Sequence, residues 1–349
     1  MAPVVHALRG AGWAEARVLS TGQHRELLDE QLAFFEVAAD RDLAAMRPDQ
    51  DLTELTAALL PALDHALAEE RPDLVLAQGD TTTVLTTALV CCYRGVPFGH
   101  VEAGLRTGDL RAPFPEEANR LVADQLAALH FAPTADAAAN LEREGKRGHV
   151  YVTGNTVIDA LLWTRARIGA APAESGGGMR RRVLVTTHRR ESFGAGLAGI
   201  LEAVRRIAAR GDVEVVLPVH PNPRVEAAVT RALAGVAEVR LAAPLRYPEM
   251  VRELDRCDLV LTDSGGVQEE APTLGKPVLV LRDVTERTEG VDAGVARLVG
   301  TDPAVIYAAA AELLDDARAY AAMSTVANPY GDGEASGRIV EHCRAFLGA

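Results

Sequence analysis

Residues 100–120 read HVEAGLRTGDLRAPFPEEANR, from His100 to Arg120, and the reading of this stretch decides the fold. An apolar segment, Pro97–Val101, reads as a short buried strand that delivers Glu102 at its end. A helix rich in Ala and Leu, Glu117–Leu129, follows. The loop between them carries Glu102, Asp109, Glu116 and Glu117 beside Arg106, Arg111 and Arg120. Pro113 and Pro115 hold its middle extended and out of helix. A shaped loop with carboxylates and guanidinium groups at the end of a buried strand is a common seat of function. The plainer alternative is a solvated charged loop.

The same step recurs on both sides. Towards the N-terminus, MAPVVHALRG reads as a helix ended by Gly10, and strand Ala16–Ser20 runs into Thr21–His24. Helices Glu26–Phe35 and Thr53–Ala68 follow. Strand Leu74–Ala77 ends in QGDTTT (Gln78–Thr83), and helix Thr83–Tyr93 leads to the opening stretch. Beyond it come a strand His130–Ala132, a helix Ala135–Arg143 and a strand Val150–Thr153 ending in GNTVIDA. Ala171–Met179, APAESGGGM, has the composition of a flexible linker. A second series follows: Arg182–Thr187 into HRRESFG, Glu214–Pro218 into VHPNP, Leu259–Thr262 into DSGGVQEEAPTLG, and Pro277–Leu281 into RDVTERTEG. A helical region Ala304–Ala322 precedes NPYGDGEASGR and a last helix.

Short Val- and Leu-rich strands alternating with helices indicate α/β architecture with parallel sheets. The expected organisation is two Rossmann-like domains, residues 1–169 and 181–325, joined by a linker at 170–180. A segment at 326–349 is expected to pack back on the first domain. Asp80, Glu102, His188, His220, Ser264 and Arg282 each fall just past the carboxyl end of an expected strand, the edge where open α/β sheets bind ligands. Two such domains facing each other would enclose a cleft.

The bulk numbers narrow the function. A chain of 349 residues is long for one core. A formal net charge of -13 argues against nucleic acid or an anionic membrane as partner, so an anionic ligand needs a local cluster of Arg or His. Four cysteines, two adjacent (Cys91, Cys92), make neither a disulfide framework nor a CxxC metal site, and fit a reduced, cytoplasmic protein with inert buried thiols. No apolar run reaches membrane-spanning length, and no basic leader follows Met1.

Chemistry concentrates at the strand ends. Asp263–Gly266, DSGG, opens a helix, and its backbone N–H groups and helix dipole suit a diphosphate. A nucleophilic Ser264 is weaker, because no GxSxG elbow is present. Glu269 and Glu270 lie in the first turn of that helix, where one could take two ribose hydroxyls or both could simply compensate the dipole. His188, Arg189 and Arg190 place positive charge beside a strand end, suited to phosphate. Asp80, Glu102 and Glu116 converge from neighbouring loops and suit proton transfer; the alternative is ion pairing with Arg106, Arg111 and Arg120. No HxxxH, HxH or CxxC pair supports a metal. Neither GxGxxG nor a P-loop is present to cradle NAD or ATP.

Taken in order, QGDTTT, HVEAGLRTGDL, PEEANR, TGNTVIDAL, HRRESFG and TDSGGVQEEAPTLGKPVL resemble the non-hydrolysing UDP-N-acetylglucosamine 2-epimerases over nearly the whole chain. The resemblance implies the GT-B type arrangement of two domains. It implies interconversion of UDP-N-acetylglucosamine and UDP-N-acetylmannosamine, by elimination of UDP to 2-acetamidoglucal and re-addition with C2 inverted. Neither cofactor nor metal is implied. A cytoplasmic homodimer serving cell-surface polysaccharide synthesis is. Asp80, Glu102, Glu116 and His188 match the catalytic positions. Arg106, Arg120, Arg189, His220, Ser264, Gly265, Gly266, Glu270 and Arg282 match substrate and UDP positions, with Glu270 on the ribose. Gln23 and His24 match a second, activating site. Hydrolysing epimerases, GT-B glycosyltransferases and non-catalytic nucleotide-sugar binders stay open as alternatives.

Three departures stand out. The family's opening strand and GTRPE loop have no counterpart here, so by resemblance the chain is expected to be a shortened form lacking the middle strand of its first sheet. The family's ERPE is ERTE at Glu286–Glu289. Glu26 and Asp49 stand where some relatives have Gln and Arg, which argues against retained activation by substrate.

Overall fold

A computed structural model of the protein describes residues 1–22, 25–47, 50–169, 180–187 and 194–349. The Ala171–Met179 linker lies outside the described residues. The chain forms two compact units, one of Met1–Ala160 with Gly331–Ala349, the other of Leu161–Tyr330.

The first unit opens with α1 (Ala2–Gly10), β1 (Leu19–Ser20), α2 (Arg25–Phe34), β2 (Arg41–Asp42) and α3 (Leu52–Glu70). It continues through β3 (Val75–Gln78), α4 (Thr82–Arg94), β4 (Phe98–Val101), α5 (Glu116–Leu126), β5 (Leu129–Ala132), α6 (Ala135–Arg143) and β6 (His149–Val152). Helix α7 (Thr156–Ile168) starts in this unit and ends in the second. Strands β3 to β6 form a parallel sheet in chain order, while β1 and β2 pair with each other. Leu59, Leu63, Leu67, Val84, Ala88 and Phe98 fill one buried cluster. Val4, Val101, Leu129, Phe131, Ile339 and Cys343 fill another. Parallel strands buried on both faces need such uninterrupted apolar runs.

The second unit contains β7 (Arg181–Thr186), α8 (Ala195–Ala208), β8 (Val213–Pro218), α9 (Pro223–Leu233), β9 (Val239–Ala242) and α10 (Tyr247–Arg256). Then come β10 (Leu259–Thr262), α11 (Gly265–Thr273), β11 (Val278–Val280), α12 (Thr288–Asp292), β12 (Ala296–Leu298), α13 (Pro303–Asp315) and α14 (Ala317–Ser324). Its six-stranded parallel sheet has the order β12-β11-β10-β7-β8-β9. The order reverses between β7 and β10, and open sheets of this kind bind ligands outside the strand ends at such a point. Alternate residues of β7 face opposite ways: Val183 and Val185 join the cluster with Ile200 and Val229, Leu184 the cluster with Leu254 and Val260.

The expected architecture of two parallel-sheet units is present, with local differences. Leu129 belongs to β5 and not to the preceding helix, because the Ala128 N–H bonds the Phe98 carbonyl at 2.8 Å. The expected helix Ala304–Ala322 is two helices. Asp316 divides them by accepting from the N–H groups of Arg318 and Ala319. Of the four cysteines, Cys92 is exposed and the other three are buried; burial pushes the Cys91, Cys257 and Cys343 thiols up to about 12.

The last helix, α15 (Ala335–Leu347), belongs to the first unit. Asp159 holds its start, taking the Ser336 N–H at 2.7 Å and the Ala335 N–H at 3.3 Å. An Asp159→Ala variant leaves those donors without their acceptor, and is expected to lose ~1–3 kcal/mol in denaturant unfolding. Amide exchange in α15 should rise with it; unchanged exchange there would show that the helix is held by its apolar face alone.

Candidate active site

In the first unit the site grows from two neighbouring strand ends and one helix. Strand β3 ends at Gln78, and Gly79, at φ 83°, turns the chain so that Asp80 follows. Strand β4 ends at Val101, and Glu102 sits directly after it at φ 67°. A left-handed conformation is rare for a residue with a Cβ and collects at functional sites. Gln78 donates through Nε2 to Glu102 Oε2 at 3.4 Å, which ties the two strand ends together.

Helix α5 supplies the rest. Arg120, 4% exposed, donates to Asp80 Oδ2 at 2.5 Å. Asn119 donates to the Asp80 carbonyl at 2.8 Å. Glu117 accepts from the N–H groups of Thr107 and Gly108 and pairs with Arg120 Nη1 at 3.1 Å, so it fastens the loop to the helix that follows it. Glu116, the first residue of α5, is different: its Oε2 is buried with no hydrogen-bond partner among the described residues. Asp80, Glu102 and Glu116 therefore stand at strand-end turns and a helix start linked by hydrogen bonds. Both Ala112–Pro113 and Phe114–Pro115 peptides in the intervening loop are cis.

Arg106, expected near the substrate, is engaged elsewhere. It donates to Asp124 Oδ2 at 2.8 Å, to Glu144 Oε1 and Oε2 at 2.7 and 2.9 Å, and to the Leu105 carbonyl. These bonds take four of its five N–H donors, and a substrate contact by Arg106 rests on the resemblance alone. Asp124 itself is fully buried and also accepts from the Gly104 N–H and faces Nδ1 of His100 at 2.6 Å. Burial opposes its charge, but His100 and Arg106 outweigh that and hold its carboxyl down to about 2.

In the second unit Ser264 caps α11, and its own N–H donates to Thr262 Oγ1 at 2.9 Å. Gly265 lies against Arg287: a Cβ there would lie 2.6 Å from its Nη1, so a larger residue must displace that guanidinium. Arg287 is held at that helix start by Glu269 and Glu286. Arg282, another expected binding residue, pairs with Glu286 at 2.9 Å and is 8% exposed, so its binding role likewise rests on the resemblance. Glu270 accepts from the Tyr247 hydroxyl at 2.7 Å, and its Oε2 lies 4.0 Å from a Cβ built on Gly266. His220 follows β8, and its Nδ1 accepts the Asn222 N–H at 3.1 Å. His188, Arg189, Gln23, His24 and Asp49 lie outside the described residues.

Sequence reading missed His100, Asp124, Tyr247 and Arg287. Only His100 carried a signal, a polar residue inside the apolar segment Phe98–Val101. Among the described residues no group of three His, Cys, Asp or Glu side chains is placed to hold a metal ion, and no helix is long and apolar enough to cross a membrane.

These features define a two-unit α/β protein with carboxylates gathered at the strand ends of one parallel sheet and a glycine-rich helix start at a strand end of the other. The family model for UDP-N-acetylglucosamine 2-epimerase matches residues 6–344, and the chain belongs to that family. It is 49% identical to the UDP-N-acetylglucosamine 2-epimerase of Escherichia coli K12, over 98% of this chain and 94% of that one. Among solved structures it resembles the Neisseria meningitidis UDP-GlcNAc 2-epimerase bound to UDP-GlcNAc, with TM-score 0.92, 41% identity and coverage of 99% and 96%. It also resembles a S. aureus protein solved with UDP, with TM-score 0.91, 44% identity and coverage of 100% and 93%.

Burial pushes the Glu270 carboxyl up to about 7, and the Tyr247 hydroxyl offsets only part of that. Between the ordinary carboxyl value near 4.5 and about 7, the folded chain keeps a proton that the unfolded chain releases. Stability therefore falls as pH rises through that window. Glu270→Gln removes the effect and should become more stable relative to the parent, by up to about 3 kcal/mol, as unfolding is measured from pH about 5 to about 8. A difference that stays flat over this range would contradict the raised carboxyl.

Proposed function

We infer that the chain is an isomerase that inverts C2 of UDP-N-acetylglucosamine to give UDP-N-acetylmannosamine, and the reverse. The observation that carries this is the set Asp80, Glu102 and Glu116, presented together with one buried carboxylate oxygen of Glu116 unpaired. The C2–H bond lies beside no carbonyl, so its direct deprotonation is disfavoured. Elimination avoids this: a carboxylate takes the C2 proton as the C1–O bond to UDP breaks, leaving 2-acetamidoglucal. Re-addition of UDP at C1 with protonation at C2 from the opposite face gives the epimer. Three acids exceed what transfer to a simple hydroxyl requires, which disfavours the glycosyltransferase alternative.

In this reading the α11 start, with Ser264, Gly265 and Gly266, takes the diphosphate, because its N–H groups and dipole favour anions. Glu270 takes the ribose. Arg120, with Asn119, keeps Asp80 aimed. His188, Arg189 and His220 join the site through the resemblance, which also implies a homodimer and a cytoplasmic setting; Gln23 and His24 match a second site, but Glu26 and Asp49 argue against activation there. Light scattering reads the oligomeric state directly.

In deuterated water the enzyme should place deuterium at C2 while forming UDP-N-acetylmannosamine. Free N-acetylmannosamine instead would make it a hydrolase, and neither product would sink the reading. Asp80→Asn, Glu102→Gln and Glu116→Gln should each lower turnover by ~10²–10⁴-fold with UDP affinity nearly kept. Near-normal turnover in all three would return these carboxylates to a structural role.

A further inference from the structure

His100 lies beneath the catalytic turns with no solvent exposure. Its Nδ1 is 2.6 Å from Asp124 Oδ1, and its Nε2 is 2.7 Å from the Gly79 carbonyl. A carbonyl oxygen only accepts, so Nε2 carries a hydrogen. Asp124 already accepts from the Gly104 N–H at 3.2 Å and from Arg106 at 2.8 Å, as an ionised carboxylate does. The short contact to Nδ1 is therefore also a donation from the ring.

We propose that His100 is a positioning residue of this active site: a buried imidazolium, clamped between Asp124 and Gly79, that fixes the turns carrying Asp80 and Glu102. The proposal rests on the epimerase reading of that site. Gly79, Glu102 and Gly104 all have left-handed backbones, at φ 83°, 67° and 88°. Such turns persist only where the surroundings hold them. His100 holds the carbonyl next to Asp80, and Asp124 holds the amide two residues past Glu102. Both grips come from one ion pair rooted in α5, the helix whose Asn119 and Arg120 also hold Asp80.

The charges around the ring balance. Asp124 from α5 and Glu102 on its own strand end are the acids that favour its charge, and Glu144 at the end of α6 is neutralised through Arg106. The other cation, Arg106, shares Asp124. His130, in register with His100 on β5, is kept towards the neutral form by its own burial. Just past β3, the neutral Gly79 carbonyl faces Nε2. Burial works against charge on His100, yet Asp124 outweighs it and raises the ring above the ordinary histidine value.

Two experiments decide the proposal. Nitrogen-15 NMR of the full-length protein labelled at histidine should show His100, assigned from its contacts with the Phe98 ring, with both nitrogens protonated even at pH about 8. A neutral ring there overturns it, whether or not any variant folds. His100→Gln keeps a donor for Gly79 but removes the charge; Asp124→Asn keeps shape but loses the ion pair. Each, where it folds, should lower kcat about 10- to 100-fold while KM and UDP affinity stay within about threefold. Unchanged kcat, or a rise in KM alone, overturns the positioning role. Absence of epimerisation by the parent protein would instead defeat the function reading, since the NMR measurement needs no turnover.

Discussion

Asp124 is the group on which the carboxylate-bearing strand ends of the first unit depend. Its carboxylate sits in the interior and collects the ring of His100, the amide of Gly104 and the guanidinium of Arg106. Those groups come from β4, from the turn after it and from the loop beyond. A buried carboxylate is costly unless every lone pair is used. Here the cost is met by ordering three segments at once, so the loop cannot relax without exposing an unpaired charge. Glu117 repeats the device two helical turns earlier, fastening Thr107 and Gly108. The loop from Glu102 to Pro115 is thus pinned at its root and left open at its tip, where Leu110 and Phe114 are exposed.

The second unit solves a different problem. Its helix start suits the anion proposed for it, yet Glu269, Glu270, Glu286 and Glu289 all lie buried nearby. Arg287 answers part of this by pairing with Glu269 and Glu286 across Gly265. Glu270 is answered by a neutral donor, the Tyr247 hydroxyl, and so keeps a carboxyl that ionises reluctantly. Asn328 and Tyr330 brace the same corner through the Glu269 carbonyl, the Gly290 N–H and the Arg287 carbonyl.

Much of this was legible in sequence. Strands such as Leu259–Thr262 are unbroken apolar runs because both faces are covered, and the residue after each run marks the functional edge. That is why Asp80, Glu102, His220 and Ser264 could be placed from spacing alone. Helix ends were less legible where Ala continues a helical pattern, as at Ala127 and Ala128, and the strand register decides instead. Partner choice was not legible. Arg282 and Arg287 are five residues apart in one motif, and only the folded turn shows which guanidinium lies on Gly265. His100 and Asp124 are 24 residues apart, and their pairing exists only once β4 packs against α5.

The strand order of the second sheet also sets a sequence of events at the ribosome. β7 lies beside β8, made soon after it, and beside β10, which follows much later; the Thr186–Thr262 hydrogen bond between β7 and β10 spans 76 residues. At ~5–20 residues per second, β7 waits about 4–15 s after its own synthesis for that neighbour. During that interval β7, β8 and β9 can form half a sheet whose inner edge, and the Leu184 and Val216 side chains on one face, have no cover. The edge where the strand order reverses is therefore an unpaired edge, open to wrong pairing, while the chain is being made.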